Sequence, residues 1–244
     1  MKILMIMCLA AVPVSAASPA AETTETLTVP IELDSSSFND DVESASEKIR
    51  RLIWESKKEK YFHDINSVSN NPEVAQKALD ALERDYPELK KEQPRAFEFQ
   101  HGRVELFKKN YKGAYGQFNT ALATLESKYE GGIPPRNQYY EINASFMSDL
   151  YMGRGVSLMC MGRDEEALKD MNRAIFLSPK ARAYMQAERA RALIRLKRYQ
   201  EAVEAYNSAC STDLKWAVAS DYHPQICGAL LKKGFKPSAC VSAN

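Results

Sequence analysis

The sequence predicts an all-α protein built from helical hairpins. Residues 148–179 contain two segments in which apolar side chains recur every three or four positions, the spacing of a helix with one buried side. A turn at Gly162 separates the two segments, and Ser178-Pro179 ends the second one. Gly155 lets a second backbone approach the first helix closely, and Asp164 is placed to cap the second helix.

The unit that begins at Ser148 resembles a tetratricopeptide repeat, a pair of packed helices that recurs every 34 or so residues. Counted from Ser148, the residues in register with the family pattern are Tyr151, Gly155, Gly162, Ala167, Ala174 and Pro179. Arg154 departs from the pattern, because the family usually has leucine at that seventh position.

Two further units resemble the same repeat. The unit that starts at Arg95 matches it at Gly102, Tyr111, Ala114, Phe118 and Ala121. The unit that starts at Ala183 matches it at Ala190, Leu196, Tyr199, Ala202, Tyr206 and Ala209. Lys109 replaces the glycine expected in the turn of the first of these units. The resemblance covers residues 95–214 and implies a right-handed superhelix, a solenoid of stacked hairpins.

The regions on either side of these repeats differ in composition. We divide the chain into a signal peptide at 1–16, a disordered acidic arm at 17–40, an N-terminal helical hairpin at 41–94, the repeats at 95–214 and capping helices at 215–244. In the N-terminal hairpin, helices are expected from about Asp40 to Asn66 and from Pro72 to Tyr86. At the C-terminus, Leu214 and His223-Pro224 are expected to start helices that cover the last apolar face.

The first sixteen residues are typical of a secretory signal peptide. Lys2 is their only charged residue, Ile3 to Val14 is largely apolar, and small residues around Ala16 suit cleavage. An uncleaved anchor is the alternative, but the apolar run is shorter than the ~20 residues that a membrane span needs. A lipoprotein signal at Cys8 is disfavoured because large side chains precede it. We therefore expect a periplasmic or secreted protein with no stable membrane span after cleavage.

Charge is distributed unevenly along a nearly balanced chain. There are 33 basic and 32 acidic residues, which gives no case for a nucleic-acid partner. Residues 17–47 hold eight acids and no Lys or Arg, so the chain from Lys48 onward has a net charge of +8. Such an arm either folds over the basic body at low salt or simply keeps the protein soluble.

Four cysteines follow Cys8, and an even number in an oxidising compartment permits disulfides. Cys227 and Cys240 lie close in sequence and are the favoured pair. Cys160 lies in an apolar helix, where a buried free thiol is expected. The cysteines and the three isolated histidines lack the short paired spacing of a zinc site, so no metal is expected.

The sequence contains no pattern that indicates catalysis or a cofactor. It has no glycine-rich phosphate loop, no nucleophile elbow and no zinc-protease motif. The acids at 164–166 begin a helix, where they complement the helix dipole. We therefore expect neither an enzyme nor a cofactor.

The resemblance implies a binding groove on the first helices of the hairpins. The residues it places there are Phe99, Arg103, Leu106, Met152, Val156, Tyr184, Arg191 and Arg195. Apolar pockets would hold peptide side chains, and arginine would pair with a carboxylate. The family's clamp for a peptide carboxylate uses lysine and asparagine where this chain has Phe99 and Arg103, so recognition of chaperone tails is not expected.

These observations predict an exported scaffold that binds a protein or a peptide in cell-envelope assembly. One alternative is an enzyme or a small-ligand-binding protein with a site between the repeats and the C-terminal helices, near His223. Another is a homo-oligomer that packs through Pro134-Pro135.

Overall fold

A computed structural model describes residues 56–68, 71–129, 142–178 and 182–241. These residues form helices and turns, with no strand among them, as the all-α prediction requires. The signal peptide, the acidic arm and the Pro134-Pro135 insertion lie outside the described residues.

The helices are named here in chain order. They are α1 over residues 56–66, α2 Pro72–Asp85, α3 Pro87–Glu92, α4 Pro94–Phe107, α5 Tyr111–Glu126, α6 Ile142–Cys160, α7 Asp164–Leu177, α8 Ala183–Arg195, α9 Tyr199–Thr212, α10 Leu214–Ala219, α11 Tyr222–Leu231 and α12 Ser238–Val241. Within the described residues no helix is both long enough and apolar enough to cross a membrane.

The chain divides into two compact units, residues 1–82 and 83–244. The buried apolar side chains described in the first unit are Ile65, Val68, Ala75, Ala78, Leu79 and Leu82. Its second helix begins at Pro72, as predicted, and the Asn71 side chain accepts a hydrogen bond from the Val74 amide at 3.1 Å. The remaining description concerns the second unit.

Three helical hairpins lie at the predicted positions in the second unit. Helix α4 packs against α5, α6 against α7, and α8 against α9, while α5–α6 and α7–α8 contacts join successive hairpins. The short helix α3 has no counterpart in the prediction. The described part of α6 begins at Ile142, before the repeat start at Ser148.

The turn inside each hairpin has the same backbone structure. Lys109, Gly162 and Lys197 have positive φ values of 63°, 81° and 61°. In the first turn the amides of Lys109 and Asn110 donate to the carbonyls of Leu106 and Glu105, the hydrogen-bond pattern of a Schellman motif. The other two turns repeat this pattern, although only one of the three has the glycine that tolerates positive φ without strain.

Small side chains are buried where the two helices of each hairpin meet. Those at the repeat positions named above are Gly102, Ala114, Ala121, Gly155, Ala167, Ala174, Ala190, Ala202 and Ala209, all buried. A Cβ atom on Gly155 would lie 3.2 Å from the Ala167 carbonyl oxygen, so the predicted close approach is confirmed. The ring of Phe118 fills the space left by Gly102 and Gly153, where added Cβ atoms would lie 2.7 Å and 2.6 Å from it.

Arg154, the departure from the repeat pattern, forms a buried ion pair. Its Nε donates to Asp170 Oδ2 at 2.7 Å and its Nη2 donates to Asp170 Oδ1 at 3.0 Å. The same guanidinium donates to Asn119 and Glu126, so three helices meet at one side chain. Arg154 is 8% exposed and Asp170 is 4% exposed. The hydrogen bonds between them compensate two opposite charges whose burial would be costly without a partner.

The C-terminal helices cover the last hairpin. A single apolar cluster runs from Leu168 through α8 and α9 to Ala217, Ile226 and Leu230. A disulfide joins Cys227 to Cys240, the pair that the sequence favours, and so attaches α12 to α11. Covering helices were expected because an array of hairpins otherwise exposes its final apolar face.

Two local expectations are wrong. Asp164 does not cap α7: Arg163 occupies the N-cap position, and Asp164 is the first helical residue. Cys160 is an exposed residue instead of a buried one, because it lies at the last position of α6, where the chain turns.

Candidate functional site

The candidate site is a polar surface formed by the first helices of the hairpins together with the start of α11. It consists of Arg103 on α4, Asp149 and Cys160 on α6, Tyr184, Glu188, Arg191 and Arg195 on α8, and Tyr222 on α11. We call it the first-helix surface. Hydrogen bonds and electrostatic interactions connect these residues, as described below.

The eight groove residues implied by the repeat resemblance differ in exposure. Arg195 is exposed, and the half-buried ones are Arg103, Leu106, Val156, Tyr184 and Arg191. Phe99 and Met152 are buried, with 6% and 4% exposure, so they do not offer the open contact surface expected of them.

The position of Phe99 explains its burial. Its ring lies 6.0 Å from the ring of Phe118 and 5.6 Å from that of Phe146, in tilted and edge-on arrangements that aromatic pairs prefer. It therefore belongs to the packing between α4, α5 and α6. The sequence pattern did not indicate this because Phe146 precedes the residues that the repeat pattern aligns.

Asp149 anchors one end of the first-helix surface. Arg182 Nη1 donates to Asp149 Oδ1 at 2.9 Å, and the Tyr184 hydroxyl donates to the same oxygen at 3.4 Å. Burial raises the pKa of Asp149, while the charges of Arg182 and Arg103 oppose that shift. The contacts hold Tyr184 beside α6, with its side chain half-buried.

Glu188 anchors the other end. The Tyr222 hydroxyl donates to Glu188 Oε1 at 2.6 Å, and Arg191 Nη1 lies 2.9 Å and 3.1 Å from the two carboxylate oxygens. Glu188 is only 5% exposed, and burial raises its pKa although Arg191 and Tyr222 act in the opposite direction. Burial, followed by the charge of Glu188, raises the pKa of Tyr222, so its hydroxyl stays protonated and can keep donating.

The two anchors belong to one continuous surface. Tyr184, which donates to Asp149, and Glu188, which accepts from Tyr222, are four residues apart in α8 and so lie on one side of that helix. The Arg191 guanidinium lies 5.5 Å from the centre of the Tyr222 ring, within the range of a cation–π contact. Two tyrosines and an arginine are thus held in place on adjoining helices.

Cys160 lies beside the Glu188 anchor. Partial burial and the Glu188 charge raise the pKa of its thiol, while Arg191 lowers it. A thiol with a raised pKa remains protonated at neutral pH and is a weak nucleophile. At the margin of the surface, Arg195 Nε donates to Asp164 Oδ1 at 2.6 Å.

The histidines described in the second unit contact structural partners. His223 Nδ1 lies 2.6 Å from the Tyr206 hydroxyl oxygen and 3.6 Å from Cys227 Sγ, and His101 Nε2 lies 2.6 Å from Glu83 Oε1. Among the residues whose positions are described, no three His, Cys, Asp or Glu side chains group to hold a metal ion.

Sequence reasoning missed Glu188 and Tyr222. A usable signal was present for Glu188: it precedes Arg191 by three residues, so both lie on one side of α8. No local signal pointed to Tyr222, because its partner Glu188 is 34 residues away in the chain.

Comparison of the chain with protein-family models, with curated proteins and with solved structures finds no match in any of the three.

Proposed function

We propose that this protein is an exported scaffold of the tetratricopeptide type that binds a protein or peptide through its first-helix surface. The observation that carries the proposal is that Tyr184, Arg191 and Tyr222 are held by the carboxylates of Asp149, which is half-buried, and Glu188, which is buried. Tyrosine and arginine are enriched among residues that dominate protein interfaces. Side chains that are already ordered lose less conformational entropy when a partner binds.

The hairpins support the repeat assignment and, with it, a superhelical arrangement. Their three turns share a left-handed residue at the fifteenth repeat position, Lys109, Gly162 and Lys197. Alanine is buried at the twentieth position in every hairpin, as Ala114, Ala167 and Ala202. Stacked hairpins of this kind form extended surfaces that suit peptides and protein segments.

The cysteines support an exported location. Structural disulfides persist in oxidising compartments, and the pair Cys227–Cys240 lies at the end of the last covered hairpin. Together with the apolar N-terminal segment, this favours the periplasm or the extracellular space.

Photocrosslinking in the cells that produce the protein tests the proposed surface. With p-benzoylphenylalanine in place of Arg195, which is exposed at its margin, we expect one discrete adduct with a partner protein. The matched control carries the same group in place of Glu204, which is exposed on α9, a second helix.

A further substitution ties the adduct to the surface. Tyr184→Ala should remove the adduct formed from position 195, because it deletes an ordered contact residue at a distance from the crosslinker. Equal adducts from both labelled positions, an adduct that survives Tyr184→Ala, or no adduct at all would each contradict the proposal.

A further inference from the structure

A cavity separate from the first-helix surface lies between the α8–α9 turn and α11. Its volume is about 440 Å³, within the range of small-molecule sites. Ile194 and Tyr199 line one side, and Gln225, Gly228 and the two lysines Lys232 and Lys233 lie among its residues on the side of α11.

The first feature of this cavity is Gly228, because the stability of the fold does not explain why a glycine occurs there. It lies inside α11, where glycine is less favourable than alanine by about 1 kcal/mol. Its φ is not positive, and a Cβ atom added to it would meet no atom within 4 Å. Neither backbone conformation nor close packing requires glycine here, but any larger side chain would project into space that the cavity now leaves open.

The charge of the cavity is the second feature. Lys232 and Lys233 are both exposed at the end of α11, and none of the described residues that line the cavity is acidic. Within the described residues neither lysine forms an ion pair with an acid. Their ammonium groups are therefore available to pair with an anion.

The third feature of the cavity is its apolar wall, which Ile194 and Tyr199 form. Ile194 and Tyr199 both pack against the core of the last hairpin, and the Tyr199 ring lies 5.4 Å from that of Phe235. The wall is therefore fixed by the same packing that holds α11. Apolar surface along the cavity and two cations at one end match a ligand with an apolar body and one anionic end.

We infer that this cavity binds a single-chain anionic amphiphile, a molecule of the fatty-acid or lysophospholipid class. The apolar chain lies against Ile194, Tyr199 and the open side of Gly228, and the anionic head binds Lys232 and Lys233. Binding of such a molecule is a second activity, and it does not depend on the partner of the first-helix surface.

Isothermal titration calorimetry tests the inference on the protein purified from producing cells, with dodecanoate below its micelle concentration. We expect dodecanoate to bind and dodecanol, which has the same chain without charge, to bind more weakly by about tenfold or more. The double variant Lys232→Gln/Lys233→Gln should lose this preference for the anion. A parallel titration with lysophosphatidylglycerol decides between the two classes of ligand. If lysophosphatidylglycerol binds more tightly than dodecanoate, the ligand is a lysophospholipid; if it binds more weakly, the ligand is a fatty acid.

The decisive variant is Gly228→Leu. It should reduce dodecanoate affinity by about tenfold or more because it fills the cavity, yet raise the thermal midpoint because leucine favours helix. Gly116→Leu is the matched control, since Gly116 lies inside α5 and an added Cβ there also meets nothing within 4 Å. It should raise the midpoint and leave affinity unchanged. Absence of binding by both amphiphiles, equal binding of dodecanol, or unchanged affinity in Gly228→Leu would overturn the inference.

Discussion

Arg154 and Asp170 show how a single charged residue can replace an apolar one in the core of a hairpin. Two hydrogen bonds join the guanidinium to the carboxylate, and a third, from Arg154 Nη1 to Asn119 Oδ1 at 2.9 Å, attaches α5. The Tyr151 hydroxyl also donates to Glu126, which accepts from Arg154. The pair therefore connects three helices, and removing Asp170 would leave the buried guanidinium with only the longer contact, 3.2 Å, to the half-buried Glu126.

Asp170→Ala is expected to lower the free energy of unfolding by about 3 kcal/mol, because the buried guanidinium loses its carboxylate. The double variant Arg154→Leu/Asp170→Ala should be more stable than this single variant, since it removes the unpaired charge as well. Urea unfolding followed by far-ultraviolet circular dichroism measures both.

The control for this experiment is Glu166→Gln, which removes the acid of the exposed Arg163–Glu166 pair. Its unfolding midpoint should match that of the unchanged chain within error. A double variant no more stable than Asp170→Ala would show that the buried charge is not the cause of the loss.

At the scale of the element, the hairpin turns use one backbone structure with different residues. Positive φ at Lys109 and Lys197 is unfavourable for a side chain with a Cβ atom, whereas Gly162 takes the same conformation without that cost. The backbone hydrogen bonds of the three turns are equivalent, so the conformation is set by the hairpin and not by the residue.

Lys109→Gly is therefore expected to raise the free energy of unfolding by about 0.5–1 kcal/mol, since it relieves the left-handed strain at a modest entropic cost. The same substitution at Lys169, an exposed residue inside α7, should instead lower it by about 1 kcal/mol. Chemical unfolding measures both, and two changes of the same sign would contradict this account.

At the scale of the whole second unit, the cysteines differ in whether they are bonded, exposed or buried. The structure has one disulfide, Cys227–Cys240, and two free thiols among the described residues, Cys160 exposed and Cys210 buried. Burial raises the pKa of the Cys210 thiol, and Tyr206 opposes that shift. The three kinds of cysteine should therefore react differently.

A thiol reagent is expected to modify one cysteine of the native protein and two in denaturant. The first is Cys160 and the second is Cys210. Cys160→Ser should abolish the native reaction and leave one thiol in denaturant. A third thiol without reductant would mean that Cys8 is retained, against the predicted cleavage, whereas four thiols would mean that the disulfide has not formed.

The sequence was sufficient for the positions of the six helices that form the three hairpins. Apolar spacing predicts α7, α9 and their partners, and Pro72 and Pro94 begin helices where proline is best tolerated. These signals lie within a few residues of one another, so they act whatever the rest of the chain does. The disulfide pair was favoured for a similar reason, since its cysteines are 13 residues apart.

The first-helix surface could be predicted only in part. Arg191, Arg195 and Tyr184 lie on the surface that the repeat pattern implies, but Phe99 and Met152 are buried. The position of a residue within the repeat predicts which side of its helix the residue occupies. It does not predict whether another element packs on that side and buries the residue.

What the sequence alone determined, then, is the all-helical hairpin plan, because helix periodicity, glycine turns and proline starts are local properties of the chain. The tertiary structure decided which charges are buried and where space remains: Glu188 meets Tyr222 from a distant helix, and the cavity at Gly228 exists because α11 packs beside the α8–α9 turn. Both depend on long-range packing, which brings together residues whose separation in sequence leaves no periodic signal.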